Sequence, residues 1–312
     1  MVFEYCRNKD VRFCMSDYRL GIDLGGTKIE IAALDPDGKI LLRRREANPG
    51  SYEQLLAKIR QMVEAAKAET SPAATVGIGI PGAIDARTRC VKNANATWLN
   101  GRPFGDDLEL ALGCPVRVEN DANCFALSEA IDGAAAGRKV VFGVILGSGV
   151  GGGIIVNGHP LTGLHHIAGE WGHIPLPWVK EDEFPMPRCF CGNSGCLERF
   201  LCGSALAESW KGKGERSTQG IEEAAAAGDE AAIRALDLYV DRLGRACALV
   251  INLIDPDAIV LGGGVSNLQT IYDRVPDVMK QYAITPTCDT QLLKNQHGDS
   301  SGVRGAAWLW GE

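Results

Sequence analysis

The sequence predicts an α/β protein that contains two related domains. Three observations support this prediction: strand-like and helix-like segments alternate, a strand–glycine–strand unit occurs twice, and the chain is long enough for two cores. It has 312 residues, of which 46% are hydrophobic, and chains of this length commonly divide into two domains.

The repeated unit begins at Gly21 and again at Gly143, 122 residues later. Each copy has an apolar strand, a glycine-rich turn and a returning strand, the latter over residues 28–34 and 153–156. Each then reaches a hairpin signal, Asp35-Pro-Asp-Gly38 in the first copy and Asn157-Gly158 in the second. The pattern predicts an antiparallel hairpin at the start of each domain, although glycine-flanked strands also arise by chance.

Periodicity and capping signals predict the remaining elements in order along the chain. The segments are helices over residues 52–69, 121–136 and 233–254, and strands over residues 75–80 and 258–261. Either Asn120 or Asp121 is expected to be the N-cap of the second helix. The third helix has one apolar face, which we interpret as core and not as a partner surface.

Composition argues against several classes of protein. A net charge of −7 argues against a nucleic-acid surface, which requires a basic stripe. No apolar run reaches the roughly 18 residues of a membrane span, and charges near the start leave no export signal visible. Eleven cysteines without an export signal indicate reduced thiols, a metal site and a cytoplasmic location. Residues 1–17 lack any pattern and are predicted to be a disordered tail or an artefact of start-codon choice.

Three cysteines within eight residues, Cys189-Phe-Cys191-Gly-Asn-Ser-Gly-Cys196, are the most specific feature of the chain. The two glycines let the backbone wrap tightly, so that several sulfurs point at one ion. With His173 upstream, the set matches a closed tetrahedral zinc site, and such a site would also fix Glu170 and Glu198 relative to one another. The alternative is a group of ordinary buried thiols. Because the spacing, the glycines and the histidine agree, the sequence predicts structural Zn²⁺ bound by His173, Cys189, Cys191 and Cys196.

Glycine clusters after predicted strands form a second signal. The pattern G-x-G-x-x-G occurs at residues 147–152 and 77–82, but a strand follows the first and Pro81 interrupts the second. A dinucleotide-binding βαβ unit requires a helix at that point, so this interpretation is rejected. Two glycine-rich turns could instead face each other across a cleft and offer backbone amides to phosphate oxygens.

These turns predict a nucleotide site. Thr27 adds a hydroxyl donor, Lys28 adds a charge, and Asp23 ends a strand where a carboxylate can hold Mg²⁺ through water. The alternative for each turn is a tight hairpin that needs positive φ. The predicted nucleotide-binding residues are Asp23, Gly25, Gly26, Thr27, Lys28, Gly147, Ser148, Gly149, Gly151, Gly263 and Gly264.

Four motifs together resemble the ROK (repressor, ORF, kinase) family. They are Asp23-Leu-Gly-Gly-Thr-Lys28, Glu119-Asn-Asp-Ala-Asn123, Gly169-Glu-Trp-Gly-His173 and the cysteine motif that continues to Glu198. The resemblance extends from about Tyr18 to the C-terminus. It implies the duplicated actin-like ATPase (ribonuclease H-like) fold, with ATP and a sugar in the cleft between the two domains. It also implies a C-terminal helix that packs back on the N-terminal domain.

The domains that follow from this resemblance are a small N-terminal domain and a larger C-terminal domain. The first comprises residues 18–125 and 295–312, and the second comprises residues 126–294 and carries the zinc loop. Within the family, residues 92–101, 174–178 and 300–308 look like bacterial fructokinases of the mannofructokinase type. The expected reaction is therefore ATP-dependent phosphorylation of D-fructose, or of mannose, to the 6-phosphate (EC 2.7.1.4).

The resemblance implies roles for individual residues. Asp121 aligns with the catalytic aspartate of the family and is expected to be the general base, and its alternative role is a plain helix N-cap. The positions that match sugar-binding residues, together with two weaker candidates, are Asn120, Glu170, His173, Glu198, Gly82 and Asn95. The implied cofactors are ATP, Mg²⁺ and structural Zn²⁺, and the implied assembly is a homodimer that binds neither nucleic acid nor membrane.

Two other functions remain open at this stage. An N-acetylglucosamine or glucose kinase of the same family is the main alternative, because hexose choice depends on which hydroxyls the pocket leaves unpaired. A ROK-type transcriptional regulator is less favoured, because residues 1–17 are too short for a helix-turn-helix and the ATP turns are intact.

Overall fold

The structure, a computed structural model, describes residues 18–311. The predictions for residues 1–17 lie outside the described residues. The described part holds two five-stranded sheets with helices packed against them.

The first sheet and its helices occupy residues 19–120, with a two-stranded ribbon beside them. The elements are β1 (Arg19–Leu24), β2 (Lys28–Leu34), β3 (Ile40–Ala47), α1 (Tyr52–Glu69), β4 (Thr75–Ile80), β5 (Ala83–Ile84), β6 (Val91–Lys92), α2 (Phe104–Leu112) and β7 (Val116–Asn120). The predicted helix over residues 52–69 and the predicted strand over residues 75–80 are confirmed.

Residues 121–311 form the second sheet, the helices around it and the C-terminal helix. The elements are α3 (Asp121–Ile131), β8 (Val140–Leu146), β9 (Val150–Val156), β10 (His159–Pro160), α4 (Glu198–Leu201), α5 (Gly203–Lys211), α6 (Ile221–Ala226), α7 (Glu230–Ile254), β11 (Ala258–Gly262), α8 (Gln269–Tyr282), β12 (Gln291–Lys294) and α9 (Ser301–Trp308). Helix α7 buries one face along most of its length, as its periodicity predicted.

The two sheets share one topology. Their strand orders are β3-β2-β1-β4-β7 and β10-β9-β8-β11-β12, and in each the first three strands are antiparallel and the last three are parallel. The predicted hairpins are present, and Asn157 and Gly158 turn with φ of 50° and 77°, as a two-residue β-hairpin requires. The duplicated two-domain, actin-like fold is confirmed.

The C-terminal helix returns to the first sheet, as the resemblance implied. Gly21 on β1 and Gly77 on β4 lie so close to the backbone of α9 that a Cβ at either position would overlap it. An apolar cluster that includes Phe125 of α3 and Trp308 of α9 joins this helix to the second sheet. Residue 125 thus lies inside α3, and the division of the chain at residues 125 and 126 stays a prediction.

Helix α3 ends at Ile131, so the predicted extent of residues 121–136 is wrong at its C-terminal end. Glu129, which is fully buried, turns the chain there by accepting the backbone N–H of Ala134 at 3.0 Å. The same carboxylate accepts hydrogen bonds from Gln296 N at 2.9 Å and from Ser301 Oγ at 2.8 Å. Helix α3 therefore ends close to Glu129, because the carboxylate of this residue binds both the chain that follows the helix and the segment that leads into α9.

Within residues 18–311, no helix has the length and apolar character needed to cross a membrane. The nine cysteines in this part of the chain form no disulfide in the structure, and the reduced state of the thiols stays a prediction.

Candidate active site

The candidate catalytic residues lie at one edge of the first sheet. Strands β1, β4 and β7 are parallel, and their register pairs Asp23 with Gly79 and Ile80 with Asn120. Because the carboxyl ends of parallel strands meet at one edge, Asp23, Asn120 and Asp121 are brought together. Loops at this edge are the usual place for ligands in α/β proteins.

Asp121 is the first residue of α3 and is half-buried. Its Oδ1 accepts the backbone N–H of Ala122 at 2.8 Å. Burial, followed by the negative charges of Asp23 and Glu170, raises the pKa of Asp121 from 3.8 to about 6. A carboxylate with a raised pKa accepts a proton more readily than an ordinary aspartate.

The N-cap of α3 is Asn120 and not Asp121. The Asn120 side chain accepts the backbone N–H groups of Ala122 at 2.9 Å and Asn123 at 3.3 Å, and its Nδ2 donates to Gly82 O at 2.9 Å. The alternative role of Asp121 as a plain N-cap is therefore wrong. The carboxylate of Asp121 is left available for chemistry.

Asp23 is half-buried beside the first glycine turn. Burial, followed by the charge of Glu30, raises its pKa to about 6, while Lys28 and Arg45 act in the opposite direction. Glu30 is only 2% exposed and forms ion pairs with Arg43 and Arg45. No sequence motif marks this ion-pair group, because alternating charged residues on a strand resemble an ordinary solvated face.

The first glycine turn is open to solvent at Gly26, Thr27 and Lys28. Asn48, which the sequence analysis did not single out, braces this turn. Its Nδ2 donates to Gly25 O at 2.9 Å, and its backbone N–H donates to Thr27 O at 3.0 Å. The exposed amides of the turn can therefore meet a phosphate while its carbonyls are held from behind.

The glycines of the second glycine turn differ in what a side chain at each position would meet. A Cβ at Gly147 would meet nothing within 4 Å, whereas a Cβ at Gly149 would lie 2.7 Å from Oε2 of Glu198. Gly151 belongs to β9, and a Cβ there would lie 3.3 Å from Ala122 Cβ. A side chain at position 151 would therefore crowd α3, and the role of Gly151 in nucleotide binding stays a prediction.

The third glycine cluster follows β11. Gly263 has a φ of 83°, and a Cβ there would overlap the carbonyl of Leu146. Gly264 faces open space, since nothing lies within 4 Å of the position of a Cβ. Gly263 therefore has no room for a side chain and Gly264 does, while both residues are exposed.

The four candidate metal ligands come together. One ligand atom from each of His173, Cys189, Cys191 and Cys196 lies within 4.8 Å of the others. His173 Nδ1 is 3.6 Å from Cys189 Sγ, and Cys191 Sγ is 3.6 Å from Cys196 Sγ. A tetrahedral zinc site with ordinary bond lengths has such edges of about 3.6 to 3.8 Å, so the donor set fits Zn²⁺.

The local backbone explains why the cysteine loop contains glycines. Gly192 and Gly195 have φ values of 95° and 80°, which residues with a side chain rarely adopt. Burial, followed by hydrogen bonds with Cys191 and Cys189, raises the pKa of Cys196 to about 12. Clustered thiols ionise together when a cation compensates their charge, which is the chemistry of a zinc site.

The remaining predicted sugar contacts have different surroundings. Glu170 and Asn95 are exposed, and Glu170 lies near enough to Asp121 to raise its pKa. Gly82 has a φ of 96°, and a Cβ there would lie 2.7 Å from Ala94 N. The close approach of the β6 loop therefore accounts for this glycine. Its contact with a sugar, like that of Asn95, stays a prediction.

Comparisons with known proteins agree with this architecture. The model of the ROK family matches residues 19–312. An N-acetyl-D-glucosamine kinase of Vibrio cholerae is 38% identical over 297 residues, which cover 93% of this chain and 98% of the relative.

Two solved structures are similar over nearly the whole chain. A ROK hexokinase from Thermus thermophilus has a TM-score of 0.81 and 29% identity, with 94% of this chain and 97% of that chain covered. A ROK family glucokinase from Streptomyces griseus, solved in complex with glucose and AMPPNP, has a TM-score of 0.72 and 31% identity, with 94% and 98% covered.

Proposed function

The chain belongs to the ROK family and is an ATP-dependent sugar kinase of that family, and we propose that its substrate is N-acetyl-D-glucosamine. In the proposed reaction, the γ-phosphoryl group of ATP is transferred to the primary hydroxyl of the sugar, which gives the 6-phosphate and ADP. The relative with 38% identity supports this sugar. None of the relatives described above supports fructose, which residues 92–101 had favoured.

The observation that carries the proposed phosphoryl transfer is the position of Asp121, whereas the proposed sugar is supported by the relative with 38% identity. The Asp121 carboxylate lies at the start of α3, with its pKa raised to about 6 by burial and by neighbouring acids. At neutral pH it is ionised, yet it is a stronger base than an exposed aspartate. In the proposed mechanism it accepts the proton of the sugar hydroxyl as that oxygen attacks phosphorus.

Phosphoryl transfer also requires positioning and charge compensation. The open amides at Gly26 and Gly264 are proposed to hold the phosphates, with Lys28 as a nearby positive charge. Gly147 is proposed to offer open space beside the nucleotide, since its own N–H donates to Gly149 O at 3.0 Å. Mg²⁺ bound with ATP neutralises phosphate charge, and the carboxylate of Asp23 is the kind of oxygen ligand that it prefers.

The sugar is proposed to bind between the first sheet and the cysteine loop, through Glu170, His173 and Glu198. His173 directs Nδ1 at the cysteines, so Nε2 remains available for a sugar hydroxyl. Zn²⁺ bound by these three cysteines and His173 would make the loop rigid, and four protein ligands would leave it no coordination position for a substrate. A rigid cysteine loop would keep the carboxylates of Glu170 and Glu198 at a fixed distance from one another.

The proposal is tested by measuring kcat/KM for N-acetylglucosamine, glucose, mannose and fructose through ADP release. We expect the N-acetylated sugar to exceed the others by at least about tenfold, because a pocket that pairs with the amide leaves polar groups unsatisfied without it. Preference for fructose would return the assignment to the fructokinase branch. No turnover on any hexose, together with a shift of DNA in a gel assay, would replace the enzyme by a regulator.

A further inference from the structure

Glu198 connects the cysteine loop to the second glycine turn. It begins α4, two residues after Cys196, and its Oε2 accepts the backbone N–H of Val150 at 3.1 Å. The same oxygen occupies the space beside Gly149, where a Cβ would lie 2.7 Å from it. A side chain at position 149 would therefore displace this carboxylate. The close neighbour of Gly149 is therefore the carboxylate of Glu198, and a Cβ there would require this carboxylate to move.

The other end of the turn has no such constraint. A Cβ at Gly147 would meet nothing within 4 Å, and Ser148 is exposed. The carbonyl of Gly147 accepts the backbone N–H of Gly203 at 2.8 Å, which anchors the turn to the start of α5. The two ends of the turn thus differ in what a side chain would meet, which is open space at Gly147 and the Glu198 carboxylate at Gly149.

We propose that Gly149 and the Val150 amide belong to the sugar pocket and not to the nucleotide site. Val150 N–H holds Oε2 of Glu198, and no hydrogen bond from residues 18–311 reaches Oε1, which is left for a sugar hydroxyl. Gly149 is therefore a positioning residue for Glu198, in place of the nucleotide contact predicted from the glycine pattern. This inference rests on the proposed function, because it takes Glu198 as a sugar ligand and Gly147 as a nucleotide contact.

The arrangement couples the two substrates. Residues 147–150 would contact the nucleotide at one end and orient a sugar ligand at the other, so ordering by one substrate prepares the site for the other. Coupling of this kind is reciprocal: nucleotide must tighten sugar binding by the same factor by which sugar tightens nucleotide binding.

The test compares two alanine substitutions in the same turn by calorimetry with N-acetylglucosamine alone and with a non-hydrolysable ATP analogue alone. We expect Gly149→Ala to raise the Kd for the sugar by about tenfold or more, as loss of a charge-assisted hydrogen bond predicts. Its Kd for the ATP analogue should remain within about twofold of wild type, because in this proposal Gly149 makes no contact with the nucleotide. Gly147→Ala should show the reverse pattern. If Gly149→Ala weakens only nucleotide binding, the inference is overturned.

A second substitution separates positioning from a general disturbance of the turn. Glu198→Asp shortens the side chain by one methylene, which removes the reach to Val150 and makes room for a Cβ at position 149. We therefore expect Gly149→Ala to cost less sugar affinity in the Glu198→Asp background than in wild type, and strictly additive effects would contradict the proposal. Hydrogen exchange of the Val150 amide should also be faster in Glu198→Asp, a readout that does not need Gly149→Ala to fold.

The outcomes distinguish this inference from the proposed function. A wild-type protein that binds none of the four hexoses would overturn the function. A wild-type protein that binds the sugar, with a Gly149→Ala variant that binds it equally well, would overturn only the assignment of Gly149 and Val150.

Discussion

Replacement of Asp121 by asparagine tests the chemistry and the electrostatics of the site at once. Asparagine has nearly the same shape, and its Oδ1 can still accept the Ala122 N–H, which lies at 2.8 Å in the native protein. The N-cap is Asn120, so the helix start does not depend on position 121. The substitution therefore removes the charge and the proton-accepting oxygen with little structural change.

The expected loss of kcat is about 10²- to 10⁴-fold, the usual contribution of a general base. The expected change in stability has the opposite sign. In the unfolded chain Asp121 ionises near 3.8, and in the folded chain only near 6, so ionisation favours the unfolded state. A shift of about two pKa units corresponds to about 3 kcal/mol, and solvent screening at a half-buried position reduces this to about 1 to 2 kcal/mol.

Because the pKa of Asp121 is raised on folding, the pH range in which this residue destabilises the fold can be stated. Below pH 3.8 the carboxyl group is protonated in both states and costs nothing, and above about pH 6 the full penalty is present. Asp121→Asn should therefore be more stable than wild type at pH 7.5, and this advantage should shrink as the pH falls toward 4.

Urea denaturation at both pH values measures the stability difference, and a coupled ADP assay with calorimetric sugar titration measures turnover and binding. Asp121→Asn should still bind the sugar. A variant that keeps more than about a tenth of the wild-type kcat would refute the role of general base. An equal stability difference at pH 4 and pH 7.5 would refute burial as the cause of the raised pKa.

Three further predictions follow from the same geometry. In wild type, kcat/KM should fall below about pH 6, with a logarithmic slope between one and two, because burial raises the pKa of both Asp121 and Asp23 to about 6; a profile that stays flat to pH 5 would contradict this. Cys196→Ser should reduce bound zinc below one ion per chain by elemental analysis and weaken sugar binding, whereas Cys247→Ala, a buried thiol outside the cluster, should keep the metal. Glu129→Gln should lower the free energy of unfolding by about 2 to 4 kcal/mol in urea, because a buried amide cannot accept all the donors that this carboxylate satisfies; no change would show that the link to α9 contributes little.

Much of the fold could be predicted because its signals are local. Hairpin residues such as Asn157 and Gly158 specify their own backbone angles, and the apolar period of α7 identifies its buried face. The cysteine loop is predictable for the same reason, since two glycines with positive φ bring nearby sulfurs together.

The C-terminal end of α3 was mispredicted because its cause is not local. Periodicity alone favoured continuation to residue 136, but Glu129 is held by Gln296 and Ser301, more than 160 residues away. No short pattern marks such a contact. The role of the fully buried Glu129 carboxylate can be recognised only in the folded structure, where its hydrogen-bond donors lie beside it.

Sequence by itself determined the alternation of elements, the duplication of the sheet unit, the set of four metal-ligand candidates and the position of Asp121 at the start of a helix. Only the tertiary structure decided which glycines stand open, as Gly147 does, and which accommodate another part of the chain, as Gly149 does for Glu198. The physical reason is excluded volume. The sequence marks a glycine only as a position without a side chain, whereas the atoms that fill the space beside it, or leave that space empty, come from residues distant in the chain.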